Sequence, residues 1–172
     1  MIHYVLGDAT APGVDGNLIV AHVCNDIGGW GRGFVLSVTK KWPAAERSYR
    51  DWHQMNPTFG VPEVTPFRLG RMKLVRVENR VWVANMIAQH GVLHKDDGTP
   101  PIRYGSLEDC LAELHLHARE LEATIHMPRI GCGLAGGKWS EIEQIIERQL
   151  THDDVYVYDF DTGDARTVPW SK

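Results

Sequence analysis

One pattern occurs twice in this sequence: an apolar run, a loop dense in glycine, and an amphipathic segment. The first copy reads LIVAHVCN, DIGGWGRG, FVLSV, and the second reads ATIHMPRI, GCGLAGGK, WSEIEQII. Glycine lets backbone N–H groups turn inward unobstructed by side chains, and a helix that follows adds the positive end of its dipole, so each loop suits an anion. A single loop of this kind serves equally well as a tight connection. Two in one chain point to a diphosphate, gripped where loops gather at the carboxyl ends of parallel strands. Other phosphate chemistries lack their motifs. No Gly-x-x-x-x-Gly-Lys-Ser/Thr string occurs, and Gly29-x-Gly31-x-Gly33 has neither the dinucleotide spacing nor an acidic residue placed to hold a ribose. Cys24 and Cys132 lie near the loops, but neither is followed six positions on by Arg, which argues against a thiol phosphatase.

Other side chains near these loops are able to move protons or orient water. His22 sits inside the first apolar run, where a histidine is either a hydrogen-bonded core residue or a catalytic one. Gln89 and His90 close a further apolar run and are candidates to orient water, or else inert loop-edge residues. His115 and His117 stand two apart in a helical pattern and face different ways, so no metal site is expected. Three widely spaced cysteines spell neither a disulfide framework nor a zinc site, and the reducing cytoplasm is the expected compartment. The net charge is −4 with Lys and Arg scattered, which argues against a duplex-binding module yet leaves room for a local basic groove.

The elements that must position these residues follow from pattern and length. A chain of 172 residues, 43% hydrophobic and 23% charged, fits one compact domain. Its longest apolar stretches fall well short of the roughly 20 residues of a membrane span, and no charged-then-apolar leader opens it, so no membrane association is expected. Ile2 to Leu6 reads as a strand running into Gly7-Asp8, and Leu18 to Val23 as a strand covered on both faces. Helical spacing follows from Phe34, interrupted by Pro43 before a second helix over Ala44 to Gln54. The proline-rich stretch Asn56 to Pro66 reads as loop. Lys73 to Val77 and Val81 to Ile87 form an antiparallel pair around Glu78-Asn79-Arg80. Leu93 to Tyr104 is expected on the surface, followed by a helix bearing Leu107, Leu111, Leu114, Ala118 and Leu121 on one face, capped by Ser106. Thr124 to Ile130 is a strand, Ser140 with Glu143 a capping box opening the next helix, and Val155 to Tyr158 the last strand. Alternating strands and helices predict an α/β fold with a mixed, largely parallel central sheet between helical layers.

The runs VLGDATAP, HVCNDIGGWGRGFVLSVTKKWP and MPRIGCGLAGGKW resemble the macrodomain family, a three-layer α/β/α fold that binds ADP-ribose. The likeness covers Met1 to about Phe160, which implies a single domain over residues 1–160 and a polar tail over 161–172. Within the family it is nearest the terminal ADP-ribose protein glycohydrolases, the antitoxin macrodomains that clear ADP-ribose from DNA, and the ADP-ribose-1″-phosphate phosphatases. By position, the resemblance implies that Asp8, beside Ala9, accepts a hydrogen bond from the adenine amino group and that Phe160 lines the adenine pocket. It implies that Asn25 meets the distal ribose, that Phe34 walls it, and that Gly29, Gly31 and Gly33 form the first phosphate loop. Pro128, Arg129, Ile130, Gly131, Cys132, Gly133 and Leu134 form the second. His22 matches the histidine used by the phosphatase branch.

Two departures bear on mechanism. The glycohydrolase branch carries a lysine near the end of the strand that here reads VWVANMIAQ, and an acidic residue directly after GCGL; this chain has apolar or amide residues around Ile87 to Gln89, and Ala135. A covalent sugar adduct through an amine is therefore not expected. The activity implied is hydrolytic removal of mono-ADP-ribose, from a glutamate ester on protein or from thymidine on single-stranded DNA, assisted by the substrate, with Asn25, His22 and Gln89 as candidate catalytic residues. Such an activity belongs to reversal of ADP-ribosylation and the DNA damage response. A non-catalytic reader of ADP-ribose and an ADP-ribose-1″-phosphate phosphatase are the alternatives. No cofactor is expected, and the chain is expected to be a monomer.

Overall fold

A computed structural model describes residues 1–55 and 65–159. In chain order the elements are β1 (Ile2–Leu6), β2 (Asn17–Asn25), α1 (Val35–Lys41), α2 (Pro43–Met55), β3 (Arg71–Glu78), β4 (Val81–Gln89), α3 (Tyr104–Leu121), β5 (Ala123–Pro128), α4 (Trp139–Gln149) and β6 (Val155–Asp159). The six strands form one sheet in the order β1-β6-β5-β2-β4-β3. Every neighbouring pair is parallel except the hairpin β3–β4, which turns through Asn79 and Arg80. Glu78, expected in that turn, belongs instead to the strand.

Strand alternation assigns a core to each face. On β2, Ile19 and Ala21 join Ala84, Met86 and Ala88 of β4 beneath α3 and α4, while Leu18 and Val20 join Val83 and Ile87 beneath α1 and α2. The helical layers follow from sequence: Leu107, Leu111, Leu114 and Ala118 of α3, and Ile142, Ile145 and Ile146 of α4, bury one stripe each. Pro43 opens α2 rather than merely ending α1, in keeping with proline's fit to a first helical position.

Three local expectations are corrected. Ser106 does not cap α3, which starts at Tyr104 with Arg103 extended before it. Ser140 and Glu143 form no capping box: Lys138 precedes α4 without a side-chain cap, and Glu143 accepts a hydrogen bond from the Tyr4 hydroxyl. The stretch Leu93 to Tyr104 is not wholly surface, because Pro101 and Ile102 are buried and Ile102 bridges to Gln89. The Asn56 to Pro66 expectation lies almost entirely outside the described residues, as do Phe160 and the 161–172 tail.

Candidate functional site

The carboxyl ends of β2, β4 and β5 open into a cavity of about 580 Å³, lined by both glycine-rich loops. From β2 and the first loop come His22, Asn25, Gly29, Gly31, Gly33 and Phe34; from β5 and the second loop come Pro128, Arg129, Ile130, Gly131, Gly133 and Leu134; Gln89 enters from β4. Asp8, Ala9 and Cys132 are not among the lining residues. Asp8 instead accepts from the backbone N–H (2.8 Å) and hydroxyl (2.9 Å) of Thr10, which fixes the turn after β1. The lining also includes Trp30, Arg32, Val92 and Leu93, which sequence reasoning did not single out, and Ala135, a departure from the glycohydrolase pattern.

The loops present unspent donors. Among the described residues, the backbone N–H groups of Gly31, Arg32 and Gly33 and of Gly133, Leu134 and Ala135 have no hydrogen-bond acceptor in the protein. Successive backbone N–H groups around one concavity favour an anion. The lining ends at Ala135, short of α4, so the loop amides rather than the first turn of that helix face the cavity. Leu134 reaches across to Gly33, where the two loops meet.

The first loop is fastened by side chains. Asn25 Oδ1 accepts from the N–H groups of Gly29 (2.9 Å) and Ile27 (3.2 Å), and its Nδ2 donates to Gly29 O (2.7 Å). One N–H of that amide remains for a ligand. Tyr49, fully buried in α2, donates to Asn25 O at 2.6 Å. A closed circuit holds Trp30: its indole N–H donates to Thr39, Thr39 to Glu46, and Arg50 bonds both Glu46 and Trp30 O.

The second loop is fastened by backbone. Gly137 N donates to Gly131 O (2.8 Å), Gly136 N to Gly133 O (3.0 Å), and Ile102 N to Ala135 O (3.0 Å). A Cβ on Gly137 would stand 2.7 Å from Gly131 O, and one on Gly131 would press on Ile102 and Ile142. Gly131 also has φ +71°, where other residues are strained.

Two basic side chains at the cavity are already engaged. The Arg129 guanidinium forms a two-point bond to Asp159 (2.6 and 2.8 Å) and lies over the rings of Tyr4 and Trp139. The bond to Asp159 raises its pKa. His22 is buried, with Nε2 2.7 Å from Asn85 Oδ1, while Asn85 Nδ2 donates to Ala45 O. That amide orientation makes His22 the donor through Nε2 and leaves Nδ1 as its acceptor. Burial lowers its pKa to about 4, so it is neutral at pH 7. Cys24 Sγ lies 3.7 and 3.9 Å from the two ring nitrogens, and burial raises its thiol pKa, which disfavours a thiolate–imidazole nucleophile.

One residue beyond the lining, Asp26 follows Asn25 and His90 follows Gln89. Asp26 Oδ2 is 2.7 Å from His90 Nδ1, and its Oδ1 accepts from Gly91 N at 2.8 Å. Asn85, Tyr49 and Asp26 were missed by sequence reasoning because each acts through a partner distant in the chain. Among the described residues no group of His, Cys, Asp or Glu is arranged to hold a metal, and no helix is long and apolar enough to cross a membrane.

No family model matches the chain. Among curated proteins it is 27% identical to the chromodomain-helicase-DNA-binding protein 1-like of Mus musculus over 96% of this chain, but spans only 18% of that protein's length. It is 24% identical to an ADP-ribose 1″-phosphate phosphatase of Lodderomyces elongisporus, covering 92% of this chain and 99% of the yeast protein. Among solved structures, the macrodomain of Mycobacterium tuberculosis DarG, at 24% identity, shares the fold with a TM-score of 0.70 over 92% of this chain and 97% of its own. A protein of unknown function from Bacteroides thetaiotaomicron is 48% identical, with a TM-score of 0.86 over 92% of this chain and 98% of its own. A macrodomain protein from Streptomyces coelicolor is also 48% identical, over 92% of this chain and 99% of its own, with a TM-score of 0.78. With that identity and a shared fold along nearly the whole of both chains, this chain belongs to the macrodomain family.

Proposed function

We propose that the cavity binds ADP-ribose and that the protein hydrolyses the bond joining the distal ribose to its target. The observation that carries this reading is the convergence of two glycine-rich loops, each with unspent backbone donors, on one cavity. A diphosphate fits such paired donors. In this reading Asp8 and Phe160 serve the adenine end, and Asn25 and Phe34 the distal ribose. The yeast relative named as an ADP-ribose 1″-phosphate phosphatase supports ADP-ribose as the ligand class.

The favoured substrate is a glutamate ester. Its leaving carboxylate is a weak base, so departure requires little acid assistance, and positioning supplies most of the acceleration. The loops bend the diphosphate over the ribose, where its negative charge offsets the developing oxocarbenium. Water adds to the anomeric carbon, the bond to the ester oxygen breaks, and ADP-ribose, the glutamate side chain and a proton are released. Thymidine-linked ADP-ribose on single-stranded DNA has a poorer leaving group and is the second substrate to try; the protein acts as a monomer in the cytoplasm.

The phosphatase alternative requires His22 as a working base or nucleophile. Its burial, its bond to Asn85 and its low pKa disfavour that role. Incubation with glutamate-, serine- and thymidine-linked ADP-ribose and with the 1″-phosphate, beside calorimetric titration of free ADP-ribose, separates the readings. Release from the ester with measurable binding is expected. Binding without release makes the protein a reader, and absence of binding defeats the assignment.

A further inference from the structure

We propose that His90, oriented by Asp26, is the general base of this hydrolysis; the proposal rests on the hydrolase reading above. It starts from the distribution of imidazoles near the cavity. His22 is buried and donates Nε2–H to Asn85. His94 packs against Gly136 of the second loop. His90 is half exposed, its Nδ1 faces a carboxylate at 2.7 Å, and its Nε2 has no partner among the described residues.

A carboxylate on Nδ1 selects the tautomer whose Nε2 lone pair is available to take a proton. The pair is better fixed than an ordinary surface ion pair. Both Asp26 oxygens are used, by His90 and by Gly91 N, while Asp26 N donates to Gln89 O (2.9 Å) and His90 N to Pro101 O (2.9 Å). His90 stands just beyond the lining, between residues that form it. Asn25 and Gln89, the preceding residues on the adjacent strands β2 and β4, line the cavity, and so does Val92, two residues after His90.

The step balances without any further reactant. The water oxygen bonds to the anomeric carbon as the carbon–ester oxygen bond breaks; one water proton passes to His90 Nε2, and Asp26 stabilises the imidazolium until it returns the proton to solvent. Asp26 is a positioning residue, because it acts only through His90.

The test uses the purified full chain with the glutamate-linked substrate. Calorimetry with ADP-ribose and wild-type turnover come first, and failure of either removes the hydrolase reading itself rather than this proposal. Given both, His90→Ala is expected to lower kcat about 100-fold with ADP-ribose affinity and melting temperature preserved, and added imidazole to restore part of the rate. Asp26→Asn is expected to lower kcat with little change in KM, and His152→Ala, distant and exposed, to change nothing. An unaltered kcat in His90→Ala, or a loss that imidazole does not restore, overturns the proposal.

Discussion

The first glycine-rich loop is held by side chains of β2 and α2, whereas the second is held chiefly by backbone hydrogen bonds. Asn25, Tyr49 and Arg50 supply the first set of restraints, and the Gly131–Gly137 hydrogen bond with close packing on Ile102 and Ile142 supplies the second. Two stretches with the same glycine content therefore depend on different chemistry. Glycine density marks where the loops are, but it does not say which glycines are indispensable. The first loop is vulnerable to loss of polar side chains, to acid and, at Gly28, to bulk against His53; the second is vulnerable to bulk at Gly131 and Gly137.

Acid should have the largest effect. Burial lowers the pKa of His22, beneath the first loop, and of His126 to about 4 each. Both are neutral in the folded state, so their contribution is complete above pH 6.5 and is lost as the unfolded chain takes up protons between pH 6.5 and 4. Each is worth roughly 3 kcal/mol over that window. Urea midpoints at pH 7 and pH 4.5 measure the loss, and His22→Gln should reduce it.

Next comes Gly137→Ala, whose Cβ would meet the Gly131 carbonyl oxygen, which cannot swing aside, as well as Ile142. A cost of about 1–3 kcal/mol is expected, with weaker ADP-ribose binding. Asn25→Ala should cost about 1–3 kcal/mol through its lost loop bonds and lower turnover by more than it lowers affinity; unchanged turnover would reject its positioning role. Tyr49→Phe removes one buried hydroxyl and should cost about 1 kcal/mol, read as a lower melting temperature. The smallest effect belongs to Gly133→Ala, where nothing lies within 4 Å and φ is ordinary. Its stability should stay within about 0.5 kcal/mol of the parent. A large loss there would erase the distinction between required and incidental glycines.

Much of this architecture is written in local pattern. The run Leu18 to Val23 announces a doubly covered strand, and the structure flanks β2 with parallel β4 and β5. The hairpin and the helical stripes follow likewise from period and turn chemistry. Local pattern fails where a distant group intervenes. Ser140 looks like a helix cap, but Lys138 N donates to the Tyr104 hydroxyl and Glu143 is engaged by Tyr4, so neither half of the box forms. At the site, the repeated strand–loop–helix pattern locates the cavity, while the partners that orient its side chains stay hidden. Asn85 lies 63 residues from His22, and Asp26 lies 64 from His90.

The pairing of β1 with β6 bears on how the chain reaches this state. Ile2 aligns with Val155, so an edge strand pairs only with a partner some 150 residues further along the chain. Closing so long a loop is slow compared with zipping the β3–β4 hairpin. Refolding should therefore show β1 gaining hydrogen-exchange protection after β4.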